Sequence, residues 1–139
     1  MKRRFSAAAA VLVAVGVAAC SSPPAALSSR DAKVIINGQA TKALQPVTCY
    51  QTGRSFTIET LEKDPGFTAT IQMGDTVTAE LVDIRSLGDF TGTYWNDNLG
   101  KAQAKVTQGK FNVSGEAQGA FANNPNQSTT ATFDITTSC

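Results

Sequence analysis

The stretch FNVSGEAQGAF, residues 111–121, places apolar or small residues and polar residues at alternate positions. One parity carries Phe111, Val113, Gly115, Ala117, Gly119 and Phe121, and the other carries Asn112, Ser114, Glu116 and Gln118. Successive side chains of a β-strand point to opposite faces of the sheet. This period of two therefore predicts a long strand with one face in a core and the other face in solvent.

Four further segments repeat this alternation. Their inward sets are Phe56 and Ile58; Phe67, Ala69 and Ile71; Ala102, Ala104 and Val106; and Ala131, Phe133 and Ile135. Repeated half-apolar strands are typical of antiparallel sheets. The sequence predicts an all-β fold, a single small antiparallel β-sheet or sandwich domain, whose core includes Phe56, Phe111, Val113, Phe133 and Ile135.

The connections between these segments carry turn-forming residues. Residues 108–109 (QG) and 73–75 (MGD) indicate hairpin turns, and residues 123–126 (NNPN) indicate a loop before the last strand. In the run 77–84 the apolar parity changes between Leu81 and Val82, which indicates a bulge or a strand covered on both faces. Residues 86–100 show no readable pattern.

The amino-terminal segment has the three parts of an export signal. Residues 2–4 (KRR) are cationic, residues 7–17 are apolar, and Ala18 and Ala19 are small residues at a cleavage site. The apolar run is shorter than the roughly 20 residues that span a membrane. Because Cys20 follows at once, VAAC resembles a bacterial lipobox rather than a plain secretory signal with a chance cysteine.

A lipobox makes Cys20 the site of lipidation and places signal-peptidase cleavage between Ala19 and Cys20. The thiolate would take a diacylglyceryl group and the new amino terminus an acyl chain, since the thiolate is the nucleophilic form of cysteine. Two or three chains give firm anchoring. The predicted organisation is a signal peptide over 1–19, a lipidated and flexible tether over 20–32, and an all-β domain over 33–139.

The charge balance excludes nucleic acid as a favoured partner. The full chain has 12 basic and 11 acidic residues, and removal of residues 2–4 leaves 9 basic against 11 acidic. No basic patch is present. The lipobox instead indicates two partners: the membrane, through the lipid anchor, and the lipoprotein-processing enzymes.

Two cysteines remain in the domain, Cys49 and Cys139. An even pair in an exported protein is normally a disulfide, and both share the parity of core residues in their strands. Redox or metal chemistry is the rival interpretation, which the lack of CxxC spacing and of any histidine disfavours. We expect no catalytic residue, no metal and no cofactor beyond the chains on Cys20.

Tyr94 and Trp95 are the remaining candidate site. Adjacent residues of a strand face opposite sides, so one ring should be buried and the other exposed. A core aromatic with an exposed neighbour is one interpretation, and the lining of a cleft for a lipid or glycan is the other.

The chain also resembles a known family. The ordered pieces are VAAC (17–20), VIING (34–38), VTC (47–49), FNVSGEAQG (111–119) and FDITTSC (133–139). Together they are similar to the 19 kDa lipoprotein antigen (LpqH-like) family of mycobacteria.

The resemblance implies a cell-envelope lipoprotein, exported and anchored by its lipid to the outer face of the cell membrane. It implies acylation at Cys20, a disulfide, and a surface antigen whose lipid part is sensed by host Toll-like receptor 2. It brings no enzymatic activity. The expected function is therefore surface display and interaction, and the alternative is a periplasmic or cell-wall binding protein for a lipid or glycan.

Overall fold

The computed structural model describes residues 30–41 and 43–139, and within them the chain forms strands, turns and loops without a helix. The strands are Arg30–Ile36 (β1), Gln39–Ala40 (β2), Gln45–Thr52 (β3), Ser55–Thr60 (β4), Gly66–Gln72 (β5), Thr78–Leu87 (β6), Phe90–Trp95 (β7), Lys101–Thr107 (β8), Lys110–Phe121 (β9) and Thr129–Ser138 (β10). The prediction of an all-β fold is confirmed.

The strands form one antiparallel sheet that closes on itself. Its hydrogen-bonded order is β10-β1-β3-β4-β5-β6-β7-β9, and β9 pairs in turn with β10. Strand β2 pairs with β1, and β8 pairs with β9. Closure leaves no edge on the ring itself, so the apolar faces of all eight strands meet in one interior rather than in two stacked sheets.

Closure depends on β9, which has two partners along the same edge. Its first half pairs with β8, where Glu116 lies opposite Lys101, and its last residues pair with β7, where Gly119 lies opposite Gly92. The other edge pairs with β10 from Lys110 to Gly119. The long alternating stretch of the sequence is therefore the strand at which three others meet.

The inward parity predicted from the sequence forms the core in the strands of the closed ring, whereas Ala102, Ala104 and Val106 on β8 are only partly buried against it. Phe111, Val113, Phe133 and Ile135 are buried as predicted. Phe56 is only half-buried, because its ring stacks on Phe111 near one end of the sheet, with centroids 4.4 Å apart. The largest fully buried side chains include Phe67, Phe90, Ile58, Ile71, Ile84 and Val82.

The irregular run 77–84 contains a β-bulge. Thr70 pairs with Leu81 and Ile71 with Ala79, so Glu80 is the extra residue on β6. The extra residue shifts the alternation of side chains by one position. Ala79 before it and Val82 after it therefore both point inward, and both are buried. Of the two interpretations of this run, the bulge is confirmed.

The predicted turns are also confirmed. Gln108 and Gly109 join β8 to β9 with φ of 50° and 75°, the pair of positive angles that a tight type I′ hairpin turn requires. Residues 73–75 lie between β5 and β6, and residues 123–126 lie between β9 and β10. The unreadable stretch 86–100 contains β7 and the two turns that flank it.

The closed sheet has two ends, which we name by what lies there. Strand β1 pairs with β10 from Ala32 opposite Thr137 to Ile36 opposite Phe133. Arg30 and Cys139 therefore lie at one end, the disulfide end. Ile36 lies at the other, the distal end, about 20 Å away at roughly 3.3 Å per residue.

Strand β1 begins at Arg30, so the last three residues of the segment assigned to the tether, 30–32, belong to the sheet. Residues 1–19 and 20–29, including the signal peptide and the rest of the tether, lie outside the described residues. Among residues 30–41 and 43–139, no helix could cross a membrane.

Candidate functional site

The two domain cysteines form a disulfide at one end of the sheet. Cys49 and Cys139 have Cα atoms 6.0 Å apart and are 90 residues apart in sequence. Cys49 lies on β3 and is 2% exposed, and Cys139 follows the last residue of β10. The predicted pairing is therefore confirmed, and Cys20 and Ala19 lie outside the described residues.

The disulfide links two strands that are not hydrogen-bonded to each other. In the sheet order β1 lies between β10 and β3. Arg30, the first residue of β1, is opposite Val47, two residues before Cys49. The bond therefore crosses the sheet beside the point at which the chain enters the domain.

Tyr94 and Trp95 occupy opposite faces of β7. Tyr94 is 3% exposed, and its hydroxyl donates to the carbonyl oxygen of Ala79 at 2.8 Å. Its ring packs 6.5 Å from that of Phe133. Trp95 is 56% exposed. The pair is thus a core aromatic with an exposed neighbour, and the hollows described below are lined by other residues.

The Tyr94 phenol is held in its neutral form. Burial raises its pKa above the ordinary value of a tyrosine, and the carboxylates of Glu80 and Asp97 raise the pKa further. Because the neutral hydroxyl donates to a backbone carbonyl, ionisation would also break that hydrogen bond.

A concave surface formed by described residues lies at the distal end, and we name it the distal groove. It encloses about 580 Å³. Its floor contains the buried side chains of Ile36 and Leu87, and half-buried Phe121 forms one side. The β6–β7 turn lies directly over β1, because a Cβ built on Gly88 would be 3.1 Å from the Cβ of Ile36.

The lining of the distal groove is mixed, with the apolar residues Ile36, Ala40, Ala43, Pro65, Leu87 and Phe121 beside polar ones. The polar residues are Asn37, Gln39, Thr41, Gln45, Ser86 and Asp89. They lie in the β1–β2 hairpin, at or just before the start of β3 and at the end of β6 with the turn that follows it, which are far apart in sequence. No local motif marks them, so sequence reasoning missed the groove.

A second, smaller hollow adjoins the first. It encloses about 240 Å³ and is lined by Phe121, Asn123, Asn124, Gln127 and Thr129. Phe121 lines both hollows and therefore separates them.

The ion pair of the described residues lies on the outer surface. Arg85 contacts Asp83 at 2.7 Å and also donates to the backbone carbonyl of Lys63. Asp83 in turn accepts from the hydroxyl of Thr93 at 3.2 Å. These contacts hold the loop after β4 against β6. The side chains of Arg85 and Asp83 both remain partly exposed to solvent.

The described residues contain no group of three histidine, cysteine or carboxylate side chains that could hold a metal ion. The geometry defines a class: a small, closed, disulfide-bonded all-β domain with a groove at the end opposite its chain entry. Residues 25–139 match the family model described as Mycobacterium 19 kDa lipoprotein antigen. The chain belongs to this family, which confirms the resemblance noted from its sequence.

Proteins of similar sequence carry matching descriptions. The chain is 30% identical over 131 residues to the protein named "Probable lipoprotein LppE" of Mycobacterium tuberculosis, covering 94% of this chain and 92% of that protein. It is 35% identical over 141 residues to a protein of Mycobacterium avium subsp. hominissuis named as a candidate lipoprotein, covering 100% of this chain and 97% of that protein. A protein of Mycobacterium indicus pranii named in the same way is 33% identical over 140 residues, with full coverage of both chains.

Proposed function

We propose that this chain is a cell-envelope lipoprotein, acylated at Cys20 and anchored to the outer face of the cell membrane, that acts by display and interaction. The observation that carries the proposal is the position of the domain relative to the lipobox. The first strand begins at Arg30, ten residues after the cysteine of VAAC.

The nine residues between Cys20 and Arg30 set how far the domain stands from the membrane. Fully extended at roughly 3.3–3.6 Å per residue, they reach about 30 Å. Because the chain enters at the disulfide end, the tether holds that end within this distance of the membrane, and the distal end is free to face away from it. The surface offered to other molecules is then the distal end and the outer faces of the strands.

The proposal includes no catalytic step. The chain contains no histidine, and the two cysteines of the domain are joined to each other. The part of the molecule that a host would recognise is the acylated terminus, which Toll-like receptor 2 would sense.

Lipidation is tested by intact-mass measurement of the protein purified from membranes of a mycobacterial host. We expect the native chain to begin at Cys20 and to carry diacylglyceryl and acyl groups. The Cys20→Ala variant should stay uncleaved and without lipid. The neighbouring Ser21→Ala variant is the matched control and should be processed normally.

Receptor sensing is tested with a Toll-like receptor 2 reporter cell line. Native protein and the Ser21→Ala control should activate it, and Cys20→Ala protein should not. A native chain that carries no lipid would contradict the anchor, and equal signalling by the Cys20→Ala variant would contradict the role of the acylated terminus.

A further inference from the structure

We infer that the distal groove and the adjoining hollow together form a binding site for a short neutral oligosaccharide. This inference goes beyond the proposed function, since it concerns the folded domain alone and is independent of acylation at Cys20. Three observations support it: the carboxamides of the lining, the position of one aromatic ring and the charge of the described lining residues.

Carboxamides line both hollows. The distal groove presents Asn37, Gln39 and Gln45, and the smaller hollow presents Asn123, Asn124 and Gln127. A carboxamide both donates and accepts hydrogen bonds, as does each hydroxyl group of a sugar. Six such groups around two hollows that share Phe121 match a ligand with many neighbouring hydroxyls.

Several of these amides are already oriented. The Asn37 side-chain oxygen accepts from the backbone N–H of Thr132 at 2.9 Å, which leaves its amide nitrogen to donate. The Asn124 amide donates to the side-chain oxygen of Gln127 at 2.6 Å, which leaves an acceptor on Asn124 and a donor on Gln127. Groups fixed before binding lose less entropy when a ligand arrives.

Two tight hairpin turns contribute to the rim of the distal groove. Asn37 and Gly38 join β1 to β2 with φ of 49° and 78°, and Gly88 and Asp89 join β6 to β7 with φ of 56° and 60°. These are the positive angles that type I′ turns require. The turns place Asn37 and Asp89 in the lining of the groove.

Phe121 supplies an apolar face between the two hollows. Its ring contacts that of Phe90 with centroids 5.2 Å apart and planes tilted by 55°, and it remains half-exposed. It is the aromatic side chain of both linings. A pyranose ring has an apolar face of C–H groups and polar edges, so it could lie on Phe121 while its hydroxyls reach the amides on either side.

The described part of the lining favours a neutral ligand that forms hydrogen bonds. Among the described residues of the two linings, Asp89 is the charged one. A phosphate or carboxylate placed beside Asp89 would meet a like charge. An acyl chain could cover the apolar residues of the lining but would offer the carboxamides no hydrogen bonds.

The test uses the mature lipoprotein embedded in phospholipid nanodiscs, which carry no sugar headgroup and no free single-chain detergent, and labelled with ¹⁵N. The probes are maltotriose, cellotriose and mannotriose, with trigalacturonic acid as the anionic probe and a palmitoyl lysophospholipid as the acyl probe. We expect at least one neutral trisaccharide to shift the side-chain amide signals of Asn37, Asn124 and Gln127 with a submillimolar Kd, and the other two probes to leave them unchanged.

Variants separate the site from general stickiness. Phe121→Ala should weaken binding about tenfold, the loss of one well-placed aromatic contact. Gln39→Ala changes an exposed side chain and should weaken binding by about two- to tenfold without affecting folding. Trp95→Ala removes an exposed aromatic side chain that lines neither hollow and should bind as the native chain does.

Three results would overturn the inference. If the acyl probe shifts these signals and the trisaccharides do not, the groove binds a lipid. If Trp95→Ala abolishes binding, the site lies elsewhere. If no probe shifts the signals at millimolar concentration, the groove holds only solvent. None of these results bears on lipidation of Cys20, and an unacylated Cys20 would leave the saccharide test unaffected.

Discussion

Gly92 and Gly119 face each other directly across β7 and β9, and neither position has room for a side chain. A Cβ on Gly119 would overlap the carbonyl oxygen of Thr91 and lie 2.5 Å from the Cα of Gly92. A Cβ on Gly92 would lie 2.5 Å from the ring of Phe90 and 2.7 Å from the carbonyl oxygen of Gln118. The pairing of β7 with β9, which closes the sheet, therefore requires glycine at both positions, because a side chain at either one would keep the two strands apart.

Replacing Gly119 with alanine should open or distort this closing pair. The methyl group would have to displace backbone atoms, and overpacking of this kind costs about 1–3 kcal/mol. For a domain of this size we expect Tm to fall by at least about 4 °C. Thermal unfolding followed by circular dichroism measures the change.

Gly74→Ala is the matched control for that substitution. A Cβ on Gly74 would meet the carbonyl oxygen of Thr76 at an ordinary 3.7 Å, and its φ is not positive. Its Tm should stay the same or rise slightly, because alanine restricts the unfolded chain more than glycine does. Equal stability of the two variants would show that the close approach at Gly119 is not required.

Much of this fold follows from the alternation of residue types, because a closed antiparallel sheet keeps one face of every strand in a single interior. Strand β7 was unreadable for a physical reason. Its inward residues are Phe90, Gly92 and Tyr94, so a glycine interrupts the apolar set, and the exposed Trp95 adds an apolar residue to the outer face. The sequence of β7 therefore shows no clear alternation of apolar and polar residues.

The pairing order and the distal groove were beyond sequence reasoning for a different reason. Alternation tells which face of a strand is inward but not which strands are neighbours, and the entry of β1 between β10 and β3 is a long-range choice. The groove needs Asn37 and Asp89 side by side with Phe121. These residues meet only because the sheet closes, and no spacing along the chain records that meeting.

Removing the disulfide should destabilise the domain strongly. Cys49 and Cys139 close a loop with a sequence separation of 90, and loss of such a bond typically costs about 2–5 kcal/mol. Denaturant unfolding of the Cys49→Ala/Cys139→Ala double variant, compared with the native chain, measures this cost. The double variant should unfold at a clearly lower denaturant concentration.

The neighbouring Ser138→Ala substitution is the control for the disulfide variant. Ser138 is exposed on the same strand, so its unfolding midpoint should match that of the native chain. Alkylation of the native protein without reductant should label neither Cys49 nor Cys139. An unchanged midpoint on reduction would mean that the bond does not stabilise the domain.

The Phe56–Phe111 stack should add more to the free energy of unfolding than the burial of the two rings alone. The two rings are nearly parallel, with planes 6° apart, and aromatic pairs are worth about 0.5–1.5 kcal/mol in addition to their buried area. A double-mutant cycle with Phe56→Leu and Phe111→Leu should yield a coupling of that size. Combining Phe56→Leu with Phe90→Leu, at the distal end, should be additive, and additivity in the first cycle would contradict the stack.

Tyr94 should make the stability of the domain depend on pH in the alkaline range. Burial and the nearby carboxylates of Glu80 and Asp97 raise the pKa of Tyr94 above its ordinary value of 10.0 in the folded chain. Below pH 10 both the folded and the unfolded chain keep the phenol proton, so the stabilising contribution is fully present. Above pH 10 the unfolded chain loses that proton first, and the free energy of unfolding falls by up to about 1.4 kcal/mol per pH unit until the folded phenol also ionises.

Tyr94→Phe removes this contribution and so isolates it. At neutral pH the variant should lose about 0.5–1.5 kcal/mol, because its ring no longer donates to the carbonyl oxygen of Ala79. Above pH 10 its free energy of unfolding should fall less steeply than that of the native chain, so the two curves converge. Tyr50→Phe, which removes the only other tyrosine hydroxyl of the chain from an exposed position, is the matched control and should follow the native curve. Denaturant unfolding at a series of pH values between 7 and about 11 measures all three, and parallel curves for the native chain and Tyr94→Phe above pH 10 would show that the buried phenol does not control alkaline unfolding.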